Sequence, residues 1–248
     1  MNGIVLGGGG ALGAYEIGAI KALRELGFDY KVVTGTSVGS INGSFLAQNK
    51  FERLEEFWTT ITFEDILGHE FKWKNKSRET LIKAPLTGGF TLDGLRNLLE
   101  RELEEKVIRE SDIKFGLVYT TGLGKYNPAK LEDMEDGQVI NYILASCSAI
   151  PFLKKNKLNG KKCYDGYFSE NLPVNLAAEL GATKVVAIDV LKGRHRKVKD
   201  KNIKVFTLKP SKKMGFFLNF DNARVLENMK LGYNDVMSNE ELKAFIKE

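Results

Sequence analysis

Residues 3–48 read GIVLGGGGALGAYEIGAIKALRELGFDYKVVTGTSVGSINGSFLAQ, and this stretch decides the fold. Gly3 to Gly7 is a short apolar run that ends in glycines, which predicts a buried strand. From Ala11 to Leu26, apolar residues return at helical spacing (Leu12, Tyr15, Ala19, Ala22, Leu23, Leu26). Gly27 then stands where a helix C-terminus favours glycine. Tyr30 to Gly35 predicts a second strand, and Ser37 to Gln48 a second helix. Strand, helix and strand in so short a span predict a parallel pair joined by a crossover. Both strand-to-helix turns then open at the carboxyl edge of one sheet, where open α/β sheets bind their ligands.

Outward from this unit the pattern continues as α/β. Phe51 to about Arg109 is mostly helical and charged, interrupted by an irregular stretch at 61–90 that contains Trp73, Pro85 and Gly88-Gly89. That stretch reads either as a cap or insertion over a site or as an ordinary connection. Further strands are predicted over Lys114–Tyr119, Lys184–Val190 and Ile203–Leu208. Helices are predicted over Gly137–Cys147 and Pro173–Leu180, and a helical C-terminal segment over 219–248 with a break near Ser238-Asn239. No repeat or low-complexity linker divides the chain. One domain over residues 1–248, with a mostly parallel sheet, is the simplest assembly.

Composition narrows the class. A chain of 248 residues that is 43% apolar and 28% charged can bury a core and need not be disordered. No basic leader precedes the first strand, and no apolar run approaches the ~18–20 residues that span a bilayer. Cys147 and Cys163 form neither a metal spacing nor a disulfide framework, and read as reduced core thiols. The expectation is a cytoplasmic protein without a metal.

The net charge of +5 is uneven. Lys192, Arg194, Arg196, Lys197, Lys199, Lys201 and Lys204 crowd one stretch, followed by Lys209, Lys212 and Lys213. Such a run is a solvated loop or a face that meets an anionic membrane surface. No nucleic-acid-binding module accompanies it, so a nucleic-acid partner is not expected. Phe216-Phe217 beside Lys212-Lys213 make Met214 to Phe220 a candidate for peripheral lipid contact.

Two turns carry chemistry. Gly7-Gly8-Gly9-Gly10-Ala11-Leu12-Gly13 joins the first strand to the first helix. Glycines there let backbone N–H groups approach an anion closely. A phosphate-binding P-loop would end in Gly-Lys-Ser/Thr, and Gly13 is followed by Ala14-Tyr15. The spacing Gly8-x-Gly10-x-x-Gly13 fits a dinucleotide site of an oxidoreductase, yet the second strand lacks the acid that would hold the ribose. An oxyanion hole for acyl transfer and a plain tight turn remain as readings. The second turn, Gly35-Thr36-Ser37-Val38-Gly39, matches G-x-S-x-G between strand and helix, the setting of a nucleophile elbow. Ser37 could otherwise serve only as a helix N-cap.

A serine nucleophile needs a base, and the chain has two histidines, His69 and His195. The order Ser37, Asp165, His195 mimics an α/β-hydrolase triad, but a single strand precedes the serine where such enzymes have several. Asp165-Gly166, set among Tyr164, Tyr167 and Phe168, offers a desolvated carboxylate of raised proton affinity. The same pair also reads as an ordinary turn.

With these residues in view, the chain resembles the patatin-like phospholipases from Ile4 to about Asp189. Gly8 to Gly13 resembles that family's oxyanion loop, Gly35 to Gly39 its elbow, and Asp165-Gly166 its aspartate–glycine motif. Ala145 to Phe152 and Asn171-Leu172-Pro173-Val174 are also similar. The resemblance implies a three-layer α/β/α sandwich and a Ser37–Asp165 dyad. It implies an oxyanion hole from Gly9, Gly10 and Ala11, no cofactor, and a phospholipid or other fatty-acyl ester substrate. A general carboxylesterase or neutral-lipid lipase would use the same dyad, and a lipid-binding protein without turnover the same frame. Leu12 stands where the family often has a basic residue, and Tyr167 where it often has Gly or Ala.

Overall fold

The computed structural model describes residues 1–67 and 89–248. Most of the irregular stretch at 61–90, and with it the reading as a cap, lies outside the described residues. Among those described, eight strands form the sheet: β1 (Asn2–Leu6), β2 (Val32–Thr36), β3 (Lys114–Thr121), β4 (Lys125–Lys130), β5 (Lys157–Leu158), β6 (Lys161–Asp165), β7 (Lys184–Ile188) and β8 (Lys204–Leu208). Five of them run parallel in the order β3-β2-β1-β7-β8. The helices are α1 (Ala14–Glu25), α2 (Val38–Ala47), α3 (Phe51–Thr60), α4 (Phe63–Leu67), α5 (Asp93–Glu102), α6 (Glu105–Glu110), α7 (Val139–Ser146), α8 (Val174–Glu179), α9 (Asn222–Met237) and α10 (Glu240–Lys247).

The strand sequences explain the layers. Successive side chains point to opposite faces, so a strand buried on both sides must be apolar throughout. Ile4, Leu6, Val33, Phe115, Val186 and Ile188 join a core with residues of α1, α2, α7 and α9. Their neighbours Val5, Val32, Val118, Val185 and Ala187 join a second core with Leu176 and Ala177 of α8 and with Leu180 just beyond it. The result is the expected α/β/α sandwich, with a thick helical layer on one face and a thin one on the other.

Helix α1 is buried almost all round because it lies between the sheet and α9. Gly18 and Gly232 let the two helix backbones touch. A Cβ on Gly18 would fall 1.7 Å from the Met229 carbonyl oxygen, and one on Gly232 would fall 2.0 Å from that of Tyr15. Tyr15 Oη donates to Asp235 Oδ2 at 2.9 Å across the same contact.

Three strands escape the sequence pattern. β4 contains Pro128, which lacks a donor, and it survives on an edge where it pairs with β3 alone. β5 is two residues long, and β6 opens on two lysines and closes on an aspartate–glycine pair. β6 nevertheless places the site. β4 pairs with β3 along Gly116–Thr121 and so occupies one edge of that strand. β2 and β6 share the other: Thr36 pairs with Val118, and Asp165 pairs with the next residue, Tyr119. β6 runs antiparallel to β3, so the carboxyl ends of β2 and β6 meet head on.

We expect Gly18→Ala to destabilise the protein by about 3 kcal/mol or more, since the added methyl meets backbone that cannot step aside. Leu123→Ala on the fully exposed β3–β4 hairpin should stay within about 0.5 kcal/mol of wild type. Urea denaturation of both variants checks the contrast.

Candidate active site

The end of β2 is a strained turn. Ser37 has φ 53° and ψ −124°, a conformation that non-glycine residues seldom adopt. Backbone contact closes the turn on both sides. A Cβ at residue 35 would lie 2.1 Å from the Gly39 oxygen, and one at residue 39 would lie 2.4 Å from the Leu6 oxygen. Ser37 N donates to Ser146 Oγ at 2.8 Å, and that hydroxyl donates to the Val118 oxygen at 2.6 Å. The Ser146 hydroxyl thus extends the β2–β3 ladder one step past the end of β2. Ser37 Oγ makes no capping bond to α2, although its residue stands at the N-cap.

That oxygen donates instead to Asp165 Oδ2 at 2.6 Å. Asp165 is 2% exposed, and its other oxygen accepts from Tyr167 N at 2.8 Å. Burial drives its carboxyl up to about 7, outweighing the two hydrogen bonds that favour the ionised form. Its backbone is fixed from both sides: Asp165 N donates to the Ser148 oxygen at 2.9 Å, and Thr120 Oγ1 donates to the Asp165 oxygen at 2.9 Å. Asp165-Gly166 does form the ordinary turn that the sequence also allowed, and the turn brings the carboxylate to Ser37. Asp165 caps a short 3₁₀ turn over Gly166–Phe168 and faces the serine. Gly166 is required by proximity, because a Cβ there would lie 2.3 Å from the Val118 oxygen.

In the glycine turn most amides are occupied. Gly7 N donates to the Ile188 oxygen at 3.1 Å, Gly8 N to Asn171 Oδ1 at 3.0 Å, and Leu12 N to the Gly9 oxygen at 3.1 Å. Ala11, expected as a third oxyanion donor, gives its N–H to the Phe217 oxygen at 2.7 Å. Gly9 and Gly10 keep N–H groups without an acceptor among the described residues, and both border the cleft that holds Ser37. Gly10 has φ +55°, and a Cβ there would lie 2.3 Å from the Phe217 oxygen. Phe217 therefore backs the turn where a dinucleotide would need room. Gly13 is a packing residue, since a Cβ there would come 2.7 Å from Val38 Cγ2.

Asn171 is the clamp that residue-level reading missed. Besides accepting from Gly8 N, its Nδ2 donates to the Gly8 oxygen at 3.3 Å and to the Leu191 oxygen at 2.8 Å. The only sequence signal was its place in the Asn171-Leu172-Pro173-Val174 resemblance. Tyr167 also gains a role: its hydroxyl donates to the Lys192 oxygen at 3.1 Å, which ties residues 190–193 to the carboxylate.

The cleft holds about 280 Å³. Trp58, Phe90, Leu95, Phe152, Leu153 and Phe217 contribute to its walls, and among the described lining residues Asp165 is the one charged side chain. Such a surface accepts a hydrocarbon chain and rejects an ion. Phe217 turns into this cleft, whereas its neighbour Phe216 stays 47% exposed, so the expected aromatic pair divides between the two environments. His195 engages Asp189, with Nε2 at 3.5 Å from Oδ1, and borders a separate pocket. The triad alternative therefore has its histidine on a different carboxylate, and His69 lies outside the described residues. No cluster of three metal-binding side chains occurs among the described residues.

An α/β/α sandwich with a strained serine elbow, a facing carboxylate and a glycine turn at one sheet edge defines a recognisable class of α/β protein. The particular family follows from comparison: a family model described as Patatin-like phospholipase matches residues 4–178, and the chain belongs to that family. Patatin-like phospholipase domain-containing protein 6 of Mus musculus is 29% identical over 196 residues, which cover 75% of this chain and 13% of that protein. Lysophospholipase NTE1 of Yarrowia lipolytica is 31% identical over 189 residues, covering 76% of this chain and 12% of the relative. The chain thus spans only a small part of these relatives. Among solved structures, VipD from Legionella pneumophila superposes with a TM-score of 0.65 at 13% identity, over 98% of this chain and 66% of that one. The type III effector protein ExoU gives 0.51 at 14% identity, over 99% and 52%. Both show the same fold.

The raised Asp165 carboxyl has a thermodynamic signature. The folded state holds its proton to about pH 7, whereas the unfolded chain releases it near the ordinary value of 3.8. Stability contributed by this group therefore falls as pH climbs between those values and is level above them. Asp165→Asn removes the dependence, so its melting temperature relative to wild type should rise from pH 4 to pH 7 and then flatten. Paired thermal melts across that range test this.

Proposed function

We propose that this chain is a lipid acyl-ester hydrolase of phospholipase A or lysophospholipase type, acting through Ser37 and Asp165. The observation that carries the reading is the direct 2.6 Å bond from Ser37 Oγ to a buried Asp165 carboxylate at the head of an apolar cleft. On this reading Ser37 Oγ attacks the ester carbonyl while its proton passes to Asp165 Oδ2. Gly9 and Gly10 N–H groups stabilise the tetrahedral oxyanion. Asp165 then protonates the departing alcohol or lysolipid oxygen, leaving an acyl-serine. A water attacks as Asp165 takes its proton, and the second tetrahedral intermediate collapses as Asp165 returns that proton to Ser37 Oγ, releasing a fatty acid and the free serine hydroxyl. No step calls on a cofactor.

The relatives' names point to phospholipids and lysophospholipids as the substrate class. The absence of a cationic side chain among the described cleft residues supports a second reading, a general carboxylesterase or neutral-lipid lipase with the same dyad. We further propose one catalytic unit over residues 1–248, working in a reducing cytoplasm at the membrane surface. Two buried free thiols support the setting, and no helix among the described residues is long and apolar enough to cross a membrane.

A fluorophosphonate probe should label the wild type. Ser37→Ala should abolish labelling and lower ester hydrolysis by at least about 10³-fold, with Asp165→Asn strongly reduced in both. Hydrolysis of a soluble ester should rise with pH through about 7 and level off above it, because the base must be ionised. Absence of labelling in folded wild type, or labelling that survives Ser37→Ala, defeats the proposal.

A further inference from the structure

A second pocket of about 770 Å³ lies behind the glycine turn and differs in character from the cleft. Lys192, Lys209, Lys212 and Lys213 line it together with His195, against the single carboxylate of Asp189. Asp189 is nearly buried, and His195 Nε2 at 3.5 Å and Lys209 Nζ at 3.9 Å compensate it. Lys192, Lys212 and Lys213 have no carboxylate within ion-pair distance among the described residues. Several cations that converge on one concavity repel one another, and an anion relieves that repulsion.

The pocket shares its walls with the cleft. The glycine turn presents Gly9 and Gly10 to the cleft and Leu12 to the pocket. Leu191 borders the cleft, and Val190 and Lys192 border the pocket. Phe217 and Leu218 line the one, and Met214 and Gly215 line the other. Three chain segments thus border the apolar cleft on one side and the lysine-lined pocket on the other, and the half-exposed Phe216 stands on the third.

We propose that this pocket binds a phosphate-bearing anion, supplied by an anionic phospholipid headgroup, and thereby seats the cleft on a lipid surface. The choice of a lipid source rests on the acyl-ester reading; the anion site itself does not.

The test uses the full chain carrying Ser37→Ala, so that binding is read without turnover. Vesicles of phosphatidylcholine with one-fifth phosphatidic acid are sedimented with the protein, and inorganic phosphate is titrated by calorimetry. Each lysine near an anionic surface contributes about a factor of five in partitioning, so Lys209→Gln, Lys212→Gln and Lys213→Gln together should weaken vesicle binding about 100-fold. The triple change Lys197→Gln, Lys199→Gln and Lys201→Gln removes the same charge outside the pocket and should weaken it far less. Saturable inorganic phosphate binding that only the pocket triple abolishes supports the site. Phosphate binding without vesicle binding supports the anion pocket and overturns its lipid source. Equal effects of the two triples on vesicles, or no effect of the pocket triple on either probe, overturn the proposal. Because hydrolysis is never read, failure of the esterase reading in the labelling experiment stays separate from failure here.

Discussion

The edge of β3 is the constraint on which the rest depends. A strand has two hydrogen-bonding edges, and β4 fills one of them over Gly116–Thr121. β2 ends opposite Val118 on the other edge, and β6 arrives from the opposite direction to end opposite Tyr119. The backbone ladder therefore brings Ser37 and Asp165 together before any side chain is chosen. Several details serve this junction. The Ser146 hydroxyl carries the ladder past Thr36, the absence of a side chain at Gly166 avoids Val118, and Thr120 holds the Asp165 carbonyl.

The same geometry decides which side chain the serine hydroxyl meets. A bond of 2.6 Å between Ser37 Oγ and Asp165 Oδ2 leaves no space for an imidazole between them. On the proposed mechanism the carboxylate must supply its own basicity, and burial does so by penalising its charge. No cation shares its surroundings at ion-pair distance among the described residues, which would otherwise return the carboxyl to its ordinary range. Among the described residues, the acid–base pair that includes a histidine, Asp189 and His195, belongs to the cationic pocket. On the proposed mechanism, burial of one aspartate replaces the general base that a triad would obtain from histidine.

Sequence made some of this legible, and the division has physical causes. The interior parallel strands β1, β2, β3 and β7 are largely apolar runs and stand out from their surroundings, and the edge strand β8 keeps enough of the pattern in Val205, Phe206 and Leu208 to be read. The last two helices also fall where expected, with the break at Ser238-Asn239 observed between α9 and α10. Edge and antiparallel strands are short and carry Pro128, Lys161 and Lys162, so β4 to β6 had no signal to offer. In the site, the glycine and serine turns are local motifs whose spacing expresses their geometry. Asp165 was visible as an aspartate in an apolar setting and through the aspartate–glycine resemblance. Ser146, Asn171 and Phe217 act through contacts more than a hundred residues away in sequence, or through a backbone carbonyl, and neither leaves a pattern. The Ala11 amide illustrates the limit: a glycine-rich turn reveals that donors are present, but not which ones a distant carbonyl has already taken.

That prior commitment of donors gives the glycine turn its character. A loop that cradles a phosphate keeps most of its amides free for the ligand. Here the amides of Gly7, Gly8, Ala11 and Leu12 are bonded within the protein, which leaves two neighbouring ones facing the cleft. Two fixed donors match the single oxygen that gains charge when an ester carbonyl becomes tetrahedral, and they match a pyrophosphate poorly. Donors fixed in this way need no reorganisation as charge develops, which is the condition under which such groups stabilise a transition state. Asn171 on one side and the Phe217 carbonyl on the other keep the turn rigid. The turn also borders both cavities, the apolar cleft through Gly9 and Gly10 and the cationic pocket through Leu12. On the proposed mechanism the lack of lysines among the described cleft residues matters, because a cationic side chain beside Asp165 would lower its proton affinity and weaken it as a base.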